Sequence, residues 1–210
     1  MSKQEPIKAM EIHGEKKKIV LAGNPNVGKS VFFNSLTGIY VDVSNFPGTT
    51  VDVSHGHFEE YAVIDTPGVY GISSFNDEEK VARDVILTAD LIVNVVDAVH
   101  LERDLFLSLQ VIETGIPTII VLNMMDDAKR EGLKIDLALL EEQLGVPVIP
   151  AVAIKGKGLK ELKEKLREAR TGNIPLERQA QLKALTCRNY CRQSEALLIL
   201  EGDEIVAKRI

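Results

Sequence analysis

The chain has 210 residues, of which 45% are hydrophobic and 27% are charged, and these values are typical of a globular protein. Its net charge of −6 and its 5% of aromatic residues disfavour a nucleic-acid binder, which needs a basic face or an aromatic stacking platform. Two cysteines cannot form a secreted disulfide framework and the polar N-terminus has no signal-peptide core, so we expect a cytoplasmic protein.

The predicted elements alternate between strand and helix along the chain. Short apolar runs predict six strands, at residues 19–22, 51–58 (an edge strand), 61–64, 91–96, 118–122 and 146–150. Helical spacing of apolar residues predicts five helices, at residues 30–36, 77–87, 104–114, 136–144 and 159–169. This alternation predicts an α/β fold with a mostly parallel six-stranded sheet and flanking helices.

The pattern breaks after the last of these helices. Residues 171–175 read Thr-Gly-Asn-Ile-Pro, and the residues that follow favour helix without a partner strand. We therefore expect one domain over residues 1–172 and a short or truncated helical segment over residues 173–210.

The strongest chemical signal lies between the first predicted strand and the first helix. Residues 23–30 read Gly-Asn-Pro-Asn-Val-Gly-Lys-Ser, which matches the phosphate-binding pattern G-x-x-x-x-G-K-[ST] in its required context. The glycines allow the backbone amides to approach phosphates, and the helix N-terminus adds positive potential. Lys29 is expected to reach the β- and γ-phosphates and Ser30 to bind Mg²⁺. The alternative is a glycine turn that only joins a strand to a helix.

A second motif, Asp65-Thr66-Pro67-Gly68, follows the strand at 61–64 directly. A carboxylate at a strand end beside a phosphate loop can hold Mg²⁺, and the Gly68 amide can contact a γ-phosphate. By itself this tetrapeptide is also typical of an ordinary turn.

The ends of the last two strands suggest a site for a guanine base. Asp126 can accept hydrogen bonds from guanine N1 and N2, Asn123 can tie its loop to the phosphate loop, and the Ala153 amide can bind O6. Alternatively, Asn123 and Asp126 could be capping residues of a strand-to-helix turn, and residues 151–154 could be an ordinary loop with no contact to a base.

Taken in order, these motifs resemble those of Ras-like GTPases of the Era-like branch, and in detail the cytosolic G domain of ferrous iron transport protein B. The resemblance rests on residues 23–30, 44–51, 76–84 and 122–128, followed by Gly132. Met124 is distinctive, because most Ras-like proteins have lysine there. The resemblance covers about residues 17–170 and implies a GTP-binding and GTP-hydrolysing switch domain of an iron(II) transport protein.

The resemblance implies a set of site residues, with GTP or GDP, Mg²⁺ and K⁺ as cofactors. The nucleotide-contacting positions would be Asn24, Pro25, Asn26, Val27, Gly28, Lys29, Ser30, Val31, Gly48, Thr49, Thr50, Asp65, Thr66, Pro67, Gly68, Asn123, Met124, Asp126, Val152, Ala153 and Ile154. The catalytic positions would be Lys29, Asn26, Thr50 and Gly68, and the metal ligands Ser30, Thr50 and Asp65 for Mg²⁺ and Asn26 for K⁺. Thr50 could instead be a strand residue with Thr49 in its role, and Asn26 could be a turn residue.

The resemblance also implies partners, and at one position the sequence departs from the Ras-like pattern. We expect a membrane-embedded transporter region, a place at the inner face of the cell membrane and no nucleic acid, and a homo-oligomer is left open. Val69 occupies the position where Ras-like enzymes place a water-orienting glutamine, so hydrolysis is expected to be slow and K⁺-stimulated. An Era-like ribosome-assembly GTPase and a nucleotide-gated binding module with negligible turnover are the alternatives. Cys187 and Cys191, four residues apart, could share a helix face.

Overall fold

The structure is a computed structural model that describes residues 16–38, 42–45, 49–73, 76–189 and 191–209. The strands in these ranges are β1 (Lys17–Gly23), β2 (Asp42–Asn45), β3 (Asp52–Phe58), β4 (Tyr61–Asp65), β5 (Leu91–Asp97), β6 (Thr118–Asn123) and β7 (Val148–Pro150). The helices are α1 (Lys29–Thr37), α2 (Asp77–Ile86), α3 (Leu101–Glu113), α4 (Met125–Arg130), α5 (Leu137–Leu144), α6 (Leu159–Lys165), α7 (Leu176–Asn189), α8 (Gln193–Leu200) and α9 (Glu204–Arg209).

The strands form one sheet in the order β2-β3-β4-β1-β5-β6-β7. Strands β4, β1, β5, β6 and β7 run parallel, while β2 and β3 add an antiparallel hairpin beside β4. The prediction of an α/β fold with a mostly parallel sheet is confirmed. Apolar β-branched residues dominate the central strands because helices cover both of their faces.

The prediction of six strands with residues 51–58 at the edge is wrong in one respect. The four-residue strand β2 pairs with β3, so β3 lies inside the sheet and β2 forms its edge. Strand β2 contains one apolar residue, Val43, whose side chain is 61% exposed. A short exposed strand shows no hydrophobic alternation, so the sequence pattern could not reveal it.

Several helix starts follow from local capping. The Asn76 side chain accepts a hydrogen bond from the Glu79 amide at the start of α2, and Asp136 accepts one from the Leu139 amide at the start of α5. Helix α3 begins at Leu101, earlier than predicted, and the six-residue helix α4 was not predicted. The predicted helix at 159–169 is α6 followed by a 3₁₀ turn over Leu166–Glu168.

The helices after residue 175 pack into the same core as the sheet. Leu182 of α7, Leu197 of α8 and Val206 of α9 are buried in one cluster with Val85 of α2 and Leu107 of α3. The domain boundary near residue 172 therefore stays a prediction, to be tested by truncation. Among the residues that the structure describes, no helix is both long and apolar enough to cross a membrane.

Candidate functional site

The predicted motifs lie beyond the carboxyl ends of the parallel strands. The phosphate-loop residues 24–28 connect the end of β1 to the start of α1, Asp65 ends β4, and Asn123 ends β6. Parallel strands place their carboxyl ends on the same side, and such edges are where α/β sheets bind ligands. The fold thus brings together residues that are about one hundred positions apart in sequence.

The phosphate loop has the backbone conformation of a tight anion-binding turn. Gly28 has a φ of 92° and Asn26 a φ of 65°, both in the left-handed region. A Cβ atom on Gly28 would come within 2.7 Å of Asn123 Nδ2, so neither the dihedral angle nor the space suits a larger residue. The conformation of Asn26 agrees with the turn interpretation, and its exposed side chain is also open to a ligand.

Lys29 is folded back across this loop. Its Nζ donates hydrogen bonds to the carbonyl oxygens of Gly23 and Asn24, each at 3.2 Å, and the residue is 8% exposed. Burial lowers the pKa of Lys29, and the nearby charge of Asp65 opposes that shift. The loop therefore holds a desolvated cation at the position where a phosphate would be bound.

Ser30 and Asp65 form a pair of oxygen ligands. Ser30 Oγ donates to Asp65 Oδ2 at 3.1 Å. The other carboxylate oxygen, Oδ1, is buried and has no hydrogen-bond partner among the described residues. Burial raises the pKa of Asp65, while Lys29 and the Ser30 hydrogen bond act in the opposite direction. Hard oxygen ligands of this kind, one of them unsatisfied, fit a Mg²⁺ ion.

The Asp65 to Gly68 turn lies against the phosphate loop. The Thr66 hydroxyl donates to the Leu21 carbonyl at 2.8 Å, and the Val69 amide donates to the Gly23 carbonyl at 3.2 Å. A Cβ atom on Gly68 would lie 2.7 Å from Pro25 Cα, so this contact requires glycine. Val69 is 1% exposed and packs in the core, so its side chain is not available to orient a water molecule.

Asn123 joins three loops. Its Nδ2 donates to the Val27 carbonyl in the phosphate loop at 2.9 Å, and its Oδ1 accepts from the Ala153 amide at 3.0 Å. The residue is 4% exposed, so both contacts are shielded from water. The Ala153 amide, which was predicted to bind guanine O6, is thus already engaged in this structure.

Asp126 lies in the first turn of α4 beside the loop that follows β7. Its Oδ2 pairs with Lys155 Nζ at 2.6 Å, and this hydrogen bond lowers the pKa of Asp126. Sequence reasoning missed Lys155, although it directly follows the predicted stretch 151–154. Met124, just before α4, has a left-handed φ of 61°, and Ile154 is 83% exposed.

The remaining predicted residues are less closely tied to this site. Thr50 is exposed just before β3, and no hydrogen bond among the described residues joins its side chain to the phosphate loop. The Thr49 hydroxyl accepts from the Val51 amide at 3.2 Å, and Val31 is 36% exposed on α1. Val152 is 7% exposed and therefore lies mostly within the protein. Gly48 lies outside the described residues.

A buried carboxylate that sequence reasoning also missed anchors the phosphate loop. Asp104 of α3 accepts from Asn24 Nδ2 at 2.6 Å, from the Asp97 amide at 3.0 Å and from Arg103 Nε at 2.9 Å. Arg103 lies over the ring of Tyr70, in the segment after Gly68. Helix α3 thus contacts the phosphate loop and the segment that follows Gly68.

The expectation that the two cysteines could share a helix face is wrong. Cys187 lies in α7, whereas Cys191 follows the end of that helix. In the described part of the chain, no group of three or more His, Cys, Asp or Glu side chains is placed to hold a metal ion.

Comparisons with known proteins agree on one family. The model of the family Ferrous iron transport protein B matches residues 17–166. The Fe(2+) transporter FeoB of Salmonella typhimurium is 40% identical over an alignment 178 residues long, which covers 80% of this chain and 23% of that protein. The Escherichia coli K12 protein of the same name is 42% identical over an alignment 159 residues long, which covers 71% of this chain and 21% of that protein. The chain thus spans less than a quarter of the length of these relatives.

Solved structures of FeoB have the same fold. A GDP-bound NFeoB mutant from S. thermophilus has a TM-score of 0.81 at 36% identity, covering 92% of this chain and 82% of that one. The cytosolic domain of L. pneumophila FeoB has a TM-score of 0.80 at 33% identity, covering 92% and 84%. Another S. thermophilus NFeoB mutant, bound to GMPPNP, has a TM-score of 0.76 at 38% identity, covering 92% and 82%. The chain therefore belongs to the ferrous iron transport protein B family and has the fold of its Ras-like G domain.

Proposed function

We propose that this chain binds guanine nucleotides with Mg²⁺, hydrolyses GTP, and acts as the switch domain of an iron(II) transport protein. The observation that carries the proposal is the position of Asn123, which links the phosphate loop at Val27 to the candidate base-binding loop at Ala153. This link makes the phosphate and base subsites one unit. Related NFeoB structures contain GDP or GMPPNP, which supports the same nucleotide class.

The phosphate end of the site would work by positioning and charge neutralisation. Lys29 would exchange its contact with the Asn24 carbonyl for the β- and γ-phosphates, and the amides of the phosphate loop would surround the phosphate oxygens. Ser30 and Asp65 would hold Mg²⁺, which neutralises phosphate charge when bound. The Gly68 amide and Thr50 would contact the γ-phosphate region, so residues near 40–52 and 66–76 would change with the nucleotide state.

The base end would select guanine through Asp126. A carboxylate accepts two hydrogen bonds, and guanine presents the N1 and N2 donors that adenine lacks.

We expect GTP and GDP to bind much more tightly than ATP and ADP. We expect Asp126→Asn to lose affinity for GDP and to gain affinity for xanthosine nucleotides, because a donor replaces an acceptor. Isothermal titration with the four nucleotides and XDP measures both effects. Equal affinities of the unmutated chain for ATP and GTP would contradict the proposal.

We further propose that K⁺ stimulates hydrolysis through Asn26. Val69 is buried and the usual water-orienting side chain is absent at that position, so transition-state charge between the β- and γ-phosphates calls for another cation. The exposed Asn26 side chain lies in the phosphate loop, where its oxygen could join phosphate oxygens around a monovalent ion.

The test compares kcat in KCl and in NaCl at equal ionic strength, for the unmutated chain and for Asn26→Ala. We expect a higher kcat in KCl that is lost in Asn26→Ala. Equal rates in both salts would remove K⁺ from the proposal, and a K⁺ effect that survives in the variant would assign its ligand elsewhere.

The buried Val69 also favours a second candidate function, a nucleotide-gated binding module with negligible turnover. A single-turnover experiment with excess protein separates the two. Conversion of bound GTP to GDP faster than in buffer supports a GTPase, and a rate equal to that in buffer supports the binding module.

We propose that this chain works with a membrane-embedded transporter region at the inner face of the cell membrane. The Fe(2+) transporters that it matches are more than four times as long as the matched segment. A reading frame that continues into transmembrane helices, or co-purification with a membrane protein that carries them, would support this partner. Light scattering with GDP and with a GTP analogue would show whether a homo-oligomer forms.

A further inference from the structure

The candidate base subsite contains an ion pair that the roles above leave unused. Lys155 ends the 3₁₀ turn Ala153–Lys155 after β7, and its Nζ lies 2.6 Å from Oδ2 of Asp126. The Lys155 side chain is 56% exposed, whereas that of Asp126 is 26% exposed. The ammonium group is therefore the more exposed partner of the pair, and it lies directly on the carboxylate that is proposed to bind the base.

This pair is part of a subsite whose polar groups bind one another. Asp126 is paired with Lys155, and the Ala153 amide donates to Asn123 Oδ1. A guanine base that reads Asp126 through N1–H and N2–H needs both carboxylate oxygens as acceptors. The ammonium on Oδ2 occupies one of the lone-pair sites of that oxygen and partly neutralises its negative charge, so Oδ2 is a weaker acceptor for the base. The Lys155 ammonium group and the guanine base would thus both bind to Oδ2 of Asp126.

We infer that Lys155 is an affinity-determining residue, because its ammonium group leaves Asp126 when the guanine base binds to that carboxylate. This inference rests on the proposed guanine-nucleotide function. The ion pair belongs to the nucleotide-free state, so it slows association, and it has no effect on dissociation once the base has replaced it. The competing arrangement, in which Lys155 stays on the carboxylate and braces it against the base, would affect dissociation instead.

The size of the effect follows from the exposure of the pair. Exposed ion pairs contribute little, so opening this one is expected to change the association rate by about two- to five-fold. Removing a lysine also removes a positive charge that attracts the nucleotide phosphates, and this acts in the opposite direction. The control must therefore remove an equal charge from the same loop without touching Asp126.

Lys157 provides that control. It is exposed two residues further along, and its backbone pairs with Val152 through hydrogen bonds of 3.1 and 3.2 Å. Stopped-flow measurements with a ribose-labelled fluorescent GDP would compare the unmutated 210-residue chain, Lys155→Met and Lys157→Met. We expect Lys155→Met to associate about two- to five-fold faster than Lys157→Met, with an unchanged dissociation rate. Equal association rates of the two variants, or faster dissociation of Lys155→Met, would overturn the inference.

A double-mutant cycle with Asp126→Asn tests whether the effect acts through the carboxylate. In the Asp126→Asn background Lys155 has no carboxylate to pair with. Lys155→Met and Lys157→Met should therefore have equal association rates with XDP, or with GDP at higher concentration. A persisting difference would assign the effect of Lys155 to another group and contradict the inference. Failure of the unmutated chain to bind GDP at all would instead contradict the proposed function.

Discussion

At the residue scale, the proposed role of Asp65 conflicts with the stability of the protein. Burial raises the pKa of its carboxyl group in the folded protein, and its Oδ1 has no partner among the described residues. A carboxyl group with a raised pKa favours folding below its ordinary pKa and loses that contribution as the pH rises through the folded value. At neutral pH the ionised Asp65 therefore destabilises the nucleotide-free protein, and this cost agrees with its proposed role as a Mg²⁺ ligand.

This conflict predicts that Asp65→Asn stabilises the nucleotide-free chain. We expect a gain of roughly 0.5–2 kcal/mol in the free energy of unfolding at pH 7, and a smaller gain as the pH falls and the native carboxyl becomes protonated. The same variant should bind GTP with a weaker dependence on Mg²⁺. Urea denaturation with EDTA at two pH values measures the stability, with the exposed Asp52→Asn as control. A loss of stability in Asp65→Asn at pH 7 would contradict this account.

At the scale of elements, α3 supports the phosphate loop through one buried side chain. Asp104 is 2% exposed and accepts hydrogen bonds from Asn24, the Asp97 amide and Arg103. These contacts connect the helix to the loop after β1 and to the end of β5. The loop conformation therefore depends on a helix that begins more than seventy residues later in the sequence.

We predict that Asp104→Ala lowers the free energy of unfolding by about 1–3 kcal/mol, because it leaves the buried Asn24 amide and the Asp97 N–H without an acceptor. It should also weaken GDP binding, since the phosphate loop loses its anchor. Asp104→Asn, which retains one acceptor oxygen, should be intermediate. Urea denaturation and GDP titration test this, with Glu102→Ala, exposed on the same helix turn, as control. An unchanged urea midpoint for Asp104→Ala would show that water replaces its contacts.

At the scale of the whole molecule, the C-terminal helices complete the core on one face of the sheet. Leu182, Leu197 and Val206 are each at most 6% exposed within a cluster that includes α2 and α3. Ion pairs add to this packing, since Arg83 binds Asp203 and Arg178 Nε lies 2.9 Å from Glu113 Oε2. Residues 176–209 therefore cover apolar surface that the sheet domain would otherwise expose.

A chain truncated after residue 172 tests the predicted domain boundary. We expect it to be less stable than the full chain and to bind a dye specific for exposed apolar surface, because it loses the side chains that cover α2 and α3. Thermal unfolding and dye fluorescence measure this. A truncated chain with an unchanged melting temperature would show that residues 1–172 fold independently of the segment that follows.

The sequence alone was sufficient for the α/β class and for most elements, because apolar periodicity and caps such as Asn76 act over a few neighbouring residues. It also predicted a phosphate loop and site residues at Asp65 and Asn123, since those motifs combine fixed residue types with a strand end. Tertiary structure alone decided that β2 forms the edge of the sheet, that Asp104 holds Asn24 and that Lys155 covers Asp126. These contacts join residues between 7 and 80 positions apart, and no local preference or spacing encodes them, so they exist only once the core has packed.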